Sequence, residues 1–158
     1  MNMLGGNIMC VHIGSTQGGK KAAKQRFINN FLSLPEELRT MICIENDDRS
    51  YNVEEVLELC QVLKVPMILD YHHNRCLPSP RELKYYIDDI IKTWQDRTPK
   101  CHLSSGRDDI ADRKHADFVT ITDYQDCLET TKGKFDIMLE AKAKQQALFR
   151  LRRNFNEN

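Results

Sequence analysis

The chain has 158 residues, of which 41% are hydrophobic, so it is long enough to build one domain with a hydrophobic core. Its 23 basic and 23 acidic residues balance, which excludes an acidic tail and an overall basic nucleic-acid-binding protein, although a groove can still be basic locally. It contains neither a signal peptide nor an apolar stretch of membrane length, so we expect a cytoplasmic protein with no membrane partner.

Five short apolar runs follow one another along the chain, at residues 8–12, 41–45, 67–70, 101–103 and 135–140. Continuous runs of this kind are typical of strands that are buried on both faces, as in a parallel sheet covered by helices. Their spacing is close to that of a strand-helix-strand unit, about 30 residues. The sequence therefore predicts an α/β fold of the barrel type, with the strand ends converging on one site.

Helical patterns fill most of the gaps between these runs. We predict helices over residues 19–34, from the Asn52 cap onwards, from the Ser79 cap onwards, and over residues 122–131 and 142–153. Asn52 has a carboxylate three residues later, as in a capping box, and Ser79 precedes a proline at the first helical position.

Metal-ligand residue types lie at the ends of the apolar runs. All five histidines lie at a strand end or just beyond one: His12, His72, His73, His102 and His115. Glu45 and Glu140 end two strands, where a lone ionised carboxylate is costly unless it is paired or bound to metal. Asp70 and His73 can point to adjacent ions. Together these residues predict two or three divalent ions bridged by a carboxylate, a centre suited to hydrolysing phosphate esters.

Two groups of lysines have both a structural and a functional interpretation. The loop at residues 14–20 matches most of a Walker A motif, but Lys21 replaces the hydroxyl that would bind magnesium. We therefore expect no nucleotide site, although Lys20 or Lys21 near a helix N-terminus can hold a backbone phosphate of DNA. Lys100 shares a strand face with His102. Its amine either extends to solvent or joins the metal cluster.

Two further sets of residues are interpreted as structural. Four cysteines lie within apolar patterns and are predicted to be small core residues: Cys10, Cys43, Cys60 and Cys101. The chain has no CxxC pair. Asp47 and Asp48 are predicted to form a solvated acidic turn.

Six segments resemble the UV DNA-damage endonuclease family, which is related to the endonuclease IV type of abasic-site nucleases. They are residues 11–14, 44–47, 69–73, 100–105, 114–117 and 138–142. The resemblance implies a TIM barrel with a cluster of divalent metals, typically manganese, that nicks DNA on the 5′ side of a damaged base. It predicts a DNA repair endonuclease whose partner is damaged double-stranded DNA.

The same resemblance implies a role for each residue at the site. Glu45 is expected to bridge two ions. The other ligands are His12 on the first ion, Asp70, His102 and Glu140 around the second, and His73 and His115 on the third. Lys100 is expected to lie beside the cluster and to act in catalysis with Glu45 and Glu140.

The chain differs from the family in the number of its repeating units. A barrel of this architecture has eight strand-helix units, whereas this chain supplies five and begins just before what resembles the fourth strand. We expect residues 1–158 to form a single domain, the C-terminal part of the barrel. Its open edges would associate with a complementary N-terminal fragment or with another copy. A sugar isomerase or epimerase on a related barrel, and a non-catalytic truncated remnant, are the alternatives.

Overall fold

A five-stranded parallel sheet organises the chain, of which the computed structural model describes residues 8–156. Its strands are β1 (Met9–Val11), β2 (Ile42–Glu45), β3 (Met67–Asp70), β4 (Lys100–Leu103) and β5 (Asp136–Leu139). They pair in chain order, each parallel to the next. The predicted series of five parallel strands is confirmed; the two ends of the predicted 1–158 domain lie outside the described residues.

Each strand is followed by at least one helix. The helices are α1 (Lys20–Leu32), α2 (Glu36–Arg39), α3 (Val53–Leu63), α4 (Tyr71–Cys76), α5 (Ile87–Thr93), α6 (Ile121–Thr130) and α7 (Gln145–Asn156), with a 3-10 turn at Leu83–Tyr85. Among the described residues, no helix is both long and apolar enough to span a membrane. This alternation of strand and helix brings all five strand C-termini to one edge of the sheet, called the rim below.

The two faces of the sheet have different neighbours because side chains alternate along a strand. Ile44, Leu69 and Cys101 pack against the helices in the main hydrophobic core. On the opposite face, Cys43 and Ile68 pack with Trp94, whose indole Nε1 donates a hydrogen bond of 2.6 Å to the carbonyl of Met67. The rim carboxylates Glu45 and Asp70 continue this second face, at the opposite end of the strands from Trp94.

The start of α3 follows the prediction closely. The Asn52 side chain accepts a hydrogen bond from Glu55 N, and the Glu55 side chain accepts one from Asn52 N, which completes the capping box. A cap of this kind contributes about 1 kcal/mol to stability. Lys64 ends the helix in the left-handed conformation, with φ of 56°.

The predicted start of the helix after Ser79 is wrong. The Ser79 hydroxyl accepts a hydrogen bond from Glu54 N at the beginning of α3, so it does not cap a helix of its own. The chain stays irregular until the 3-10 turn at Leu83–Tyr85, and α5 begins only at Ile87. The short helix α4, directly after β3, was not predicted, although it carries His73 to the rim.

Three of the four predicted core cysteines, Cys43, Cys60 and Cys101, are fully buried, as predicted. The prediction for Cys10 is wrong, because it lies exposed on the outer strand β1 and its thiol donates to Glu45 Oε2 at 2.9 Å. The Asp47 carboxylate is also not simply solvated. It is half-buried and accepts hydrogen bonds from the backbone of residues 49–51, which closes the turn after β2.

The outer strands β1 and β5 each have one neighbour in the described sheet. Met9 on β1 is 44% exposed and Met138 on β5 is 54% exposed. Ile137, also on β5, is half-buried and packs against the main core. Apolar exposure at the two edges is therefore concentrated at two methionines.

Candidate metal centre

Ligand-type side chains from all five strands converge at the rim. Parallel pairing places Asp70 opposite His102, and Glu140 N donates to the Leu103 carbonyl at 2.8 Å, which holds Glu140 at the end of β5. The predicted ligands form what we call the ligand cluster: His12, Glu45, Asp70, His73, His102, His115 and Glu140. Barrel-type pairing explains their proximity, because neighbouring strand ends lie about 5 Å apart.

Glu45 occupies the middle of the ligand cluster and is almost buried. Its Oε1 lies 2.9 Å from His102 Nδ1 and 3.7 Å from His73 Nδ1. Its Oε2 lies 3.6 Å from His12 Nε2 and 2.9 Å from Cys10 Sγ. The two oxygens thus face different sets of ligand atoms, as a bridging carboxylate requires.

A second group of ligand atoms comes from Asp70, His102 and Glu140, all within 4.8 Å of one another. His102 Nδ1 lies 3.1 Å from Glu140 Oε1. Asp70 Oδ1 accepts a hydrogen bond of 2.7 Å from His73 N, which caps α4. Asp70 Oδ2 is buried, lies 3.5 Å from His73 Nδ1, and makes no hydrogen bond to any described residue.

The remaining histidines surround this group. Another set of ligand atoms, all within 4.8 Å of one another, comes from His73, Glu45 and Asp70. His73 Nδ1 also lies 2.9 Å from the Asn46 carbonyl oxygen. The rings of His12 and His115 lie 5.8 Å and 6.4 Å from that of His73, and His115 Nδ1 is 4.0 Å from a Glu140 oxygen. His12 and His115 therefore lie at the border of the cluster.

Charge in the cluster is distributed unevenly. Burial alone would raise the pKa of Glu45, but the hydrogen bond and charge of His102 lower it to about 2. Burial would lower the pKa of His102, and Glu45 raises it instead. Burial raises the pKa of Asp70 to about 7, a larger effect than the opposing charge of His73. Glu45 is thus ionised at neutral pH, whereas Asp70 holds a proton over a much wider range than an ordinary aspartate.

These observations test whether divalent cations fit the site. A buried carboxylate oxygen without a partner is costly, and several carboxylates and imidazoles crowd one small volume. A bound cation would satisfy the orphaned oxygen and replace the proton on Asp70. Imidazole nitrogens and carboxylate oxygens suit first-row divalent ions. The residues therefore fit divalent metals.

Lys100 does not join the ligand cluster. Among the described residues, its amine pairs with Asp136 Oδ2 at 3.4 Å and with none of the cluster carboxylates. Lys100 shares the face of His102 but lies two residues further from the rim. Its predicted catalytic role therefore has no contact to support it and stays a prediction.

The lysines of the Walker-like loop also lie apart from the cluster. The loop does connect a strand to a helix, since it joins β1 to α1. However, the Lys20 amine is held by Glu55, 2.8 Å from each carboxylate oxygen. A carboxylate in that position weakens phosphate binding by Lys20. Contact of Lys20 and Lys21 with DNA phosphate stays a prediction.

Sequence reasoning missed a set of residues that support the rim. The Asn46 side chain exchanges two hydrogen bonds of 2.9 Å with the backbone of Asp70, which aligns the ends of β2 and β3. His72 is buried, and the distance from its Nε2 to the carbonyl oxygen of Asp112 is 2.9 Å. This contact anchors the loop that carries His115. The one available signal was that Asn46 and His72 directly adjoin predicted ligands.

A second support joins α4 to α6. Arg75 on α4 pairs with Asp123 at the start of α6, and Asp123 accepts a hydrogen bond from the Ser105 hydroxyl just beyond β4. Ser105 Oγ in turn accepts one of 3.0 Å from Thr120 N. These contacts connect distant positions in the chain, so no local pattern could have indicated them.

The fold and its rim define a class of protein: a parallel α/β half-barrel with a metal-type centre at the strand C-termini. The UV-endonuclease UvdE family model matches residues 1–158. The chain therefore belongs to the UV-endonuclease UvdE family, and the predicted resemblance is confirmed.

Relatives and a solved structure agree with this assignment. A UV DNA damage endonuclease of Bacillus cereus (strain G9842) is 35% identical over 146 residues, 89% of this chain and 46% of the relative. One from Bacillus velezensis (strain FZB42) is 36% identical over 157 residues, 96% of this chain and 49% of the relative. The crystal structure of SacUVDE matches with a TM-score of 0.85 at 27% identity, over 95% of this chain and 51% of that one.

The chain thus spans about half the length of the relatives it matches. The structural match confirms the predicted TIM-barrel-type fold with about five of eight units, because it covers nearly all of the described chain.

Proposed function

We propose that this chain supplies the metal-binding rim of a DNA repair endonuclease that hydrolyses a phosphodiester on the 5′ side of a damaged base. The observation that supports it best is the ligand cluster, with its orphaned Asp70 oxygen, in a member of the UvdE family. Two or three divalent ions would be held there, with manganese proposed where carboxylates and imidazoles are the only ligands. When bound, such ions stabilise charge on the phosphate and activate water.

The chain's own residues divide this work. Glu45 supplies two anionic oxygens between the ligand sets, and Asp70, His102 and Glu140 complete the set beside it. The His102–Glu45 pair fixes the imidazole with Nδ1 towards the carboxylate. His73 and His115 are proposed to hold the third ion, since their rings lie 6.4 Å apart across the rim.

A basic cavity adjoins the cluster. His115 and Glu140 line it together with Lys114, Lys142 and Lys144, and its volume is about 700 Å³. Among the described residues, none of these three lysines forms an ion pair within 4 Å, so their charge is available. We propose that they bind backbone phosphates of DNA next to the cleaved bond.

We predict that changing both Lys142 and Lys144 to glutamine weakens binding of duplex DNA and reduces its salt dependence. Each lost phosphate contact lowers the slope of log affinity against log salt by about 0.9, so the pair lowers it by about 2. Fluorescence anisotropy over a range of salt concentrations measures this slope.

Lys64→Gln is the matched control. Lys64 is exposed and lies at the end of α3 that is opposite the rim. Like Lys144, whose φ is 50°, it has a positive φ, here 56°. An unchanged slope in the double variant, or an equal drop in Lys64→Gln, would show that the cavity does not contact DNA.

The function is tested by metal analysis combined with nicking of irradiated plasmid. We expect the chain to bind two or three ions and, because each outer strand has only one neighbour in the described sheet, to self-associate and to nick little by itself. A separate polypeptide that corresponds to the N-terminal half of the relatives should restore nicking of irradiated plasmid but not of untreated plasmid. Sedimentation that shows a stable monomer with full lesion-specific activity would contradict the need for a partner. Failure to bind any divalent ion would overturn the function itself.

A further inference from the structure

We infer that Cys10, Glu45 and His102 form a thiolate-containing metal site that prefers zinc-type ions to manganese. This inference rests on the proposed function, because it adds a ligand to one ion of the same cluster. It also changes the chemistry of that ion, since a sulfur donor favours softer metals than carboxylates alone do.

The geometry of the three side chains supports a shared ion. Cys10 precedes His12 by two residues on the outer strand, so both side chains point to the same face. Cys10 Sγ lies 2.9 Å from Glu45 Oε2, and ligand atoms of Cys10, Glu45 and His102 all lie within 4.8 Å of one another. A tetrahedral zinc ion with bonds of about 2.0 to 2.3 Å holds its donors about 3.3 to 3.8 Å apart. The Cys10 Sγ–Glu45 Oε2 distance of 2.9 Å is slightly shorter than that spacing, so these two donors would move apart by a few tenths of an ångström to share an ion.

Cys10 differs from the other cysteines of the chain. Four of them are fully buried in the protein: Cys43, Cys60, Cys101 and Cys127. Cys76 is half-buried on α4, and its thiol donates to the Ala111 carbonyl at 3.3 Å. Only Cys10 is exposed and also directs its sulfur at a cluster carboxylate. Its thiol is thus placed to bind a ligand rather than to fill a core.

A second observation points to a cation in the same space. Asp70 is fully buried, and its Oδ2 has no hydrogen-bond partner among the described residues. The Asp70 carboxylate lies within 4.8 Å of ligand atoms from Glu45 in one set and from His102 in another. Hydrogen bonds within the described chain therefore leave Asp70 Oδ2 unsatisfied next to Glu45 and His102, and a positive ion there would satisfy it.

The binding step is a simple exchange. The Cys10 S–H bond breaks, its proton passes to solvent, and the sulfur lone pair forms a bond to the divalent ion, with no change in oxidation state. Thiolate sulfur selects zinc and similar ions, whereas manganese prefers oxygen ligands. The expected result is a site whose preference for zinc over manganese depends on one sulfur atom.

Cobalt(II) provides the test, because thiolate ligation produces a charge-transfer absorption that oxygen and nitrogen ligands do not. We expect this band when the reduced protein is titrated with cobalt, and we expect it to persist in Cys76→Ser and to disappear in Cys10→Ser. Cys10→Ser should lower zinc affinity by on the order of tenfold or more, at least the effect of losing a supporting contact around a metal. Its manganese affinity should stay unchanged.

The unaltered protein offers an independent measurement. Zinc should protect Cys10 from alkylation, measured by peptide mass spectrometry, and manganese should not. Cobalt that binds without the thiolate band, or equal alkylation of Cys10 with and without zinc, would overturn this inference alone. Absence of cobalt binding would overturn it together with the proposed function.

Discussion

Replacing Glu45 with glutamine is expected to remove at least one divalent ion per chain and to leave the fold largely intact. The carboxylate offers an anionic oxygen to each of two ligand sets, whereas the amide offers one neutral acceptor. Loss of the Glu45 charge should also lower the pKa of His102, which Glu45 now raises. Metal content per chain, together with NMR titration of His102, measures both effects.

Glu58→Gln is the matched control for this change. Glu58 lies exposed on α3, away from the rim, so its variant should keep the full metal content. Unchanged metal stoichiometry and affinity in Glu45→Gln would show that Glu45 does not bridge two ions.

Asp70→Asn is expected to stabilise the metal-free protein above neutral pH while it weakens metal binding. Burial raises the pKa of Asp70 from 3.8 to about 7. Between these values the folded state holds a proton that the unfolded state has released, so stability falls as pH rises through this window and then stays level. Asparagine removes this penalty, about 4 kcal/mol at pH 8, and can still cap α4.

Thermal unfolding with a chelator measures this effect at two pH values. The melting temperature of the variant should rise little at pH 4. At pH 8 it should rise by about 2 to 4 °C for each kcal/mol of added stability. Metal affinity at pH 8 should fall in the same variant, because Asp70 belongs to two of the three ligand sets. A gain of equal size at pH 4 would mean that packing, not ionisation, causes it. A loss of stability at pH 8 would show that the Asp70 charge is satisfied without metal.

The metal centre is a site in which the requirements of metal binding oppose the stability of the metal-free fold. The buried carboxylate of Asp70 is unfavourable in the metal-free fold, and the bound ion is expected to compensate for it. The two variants separate these contributions, since Glu45 is ionised in either state while Asp70 changes its charge when metal binds.

The strand-end ligands could be predicted from the sequence because a parallel sheet imposes a simple rule. Each buried strand needs a continuous apolar run, and the residue that ends the run lies at the shared edge of the sheet. Glu45 and Asp70 end buried strands, whereas Glu140 follows the partly exposed outer strand β5, and the structure brings all three to the rim. The capping box at Asn52 was predictable for a similar reason, since its hydrogen bonds join residues only three positions apart.

Only the tertiary structure decided which of these side chains touch, and what supports them. Cys10 looked like a core residue, but β1 is an outer strand, so the residue is exposed and its thiol donates to Glu45, 35 positions away in the chain. Lys100 shares a strand face with His102, yet Asp136 of the neighbouring strand holds its amine. Local patterns determine strands, caps and the order of ligands, because they depend on neighbouring residues. Contacts between distant side chains depend on strand order, register and burial, which exist only once the sheet has formed.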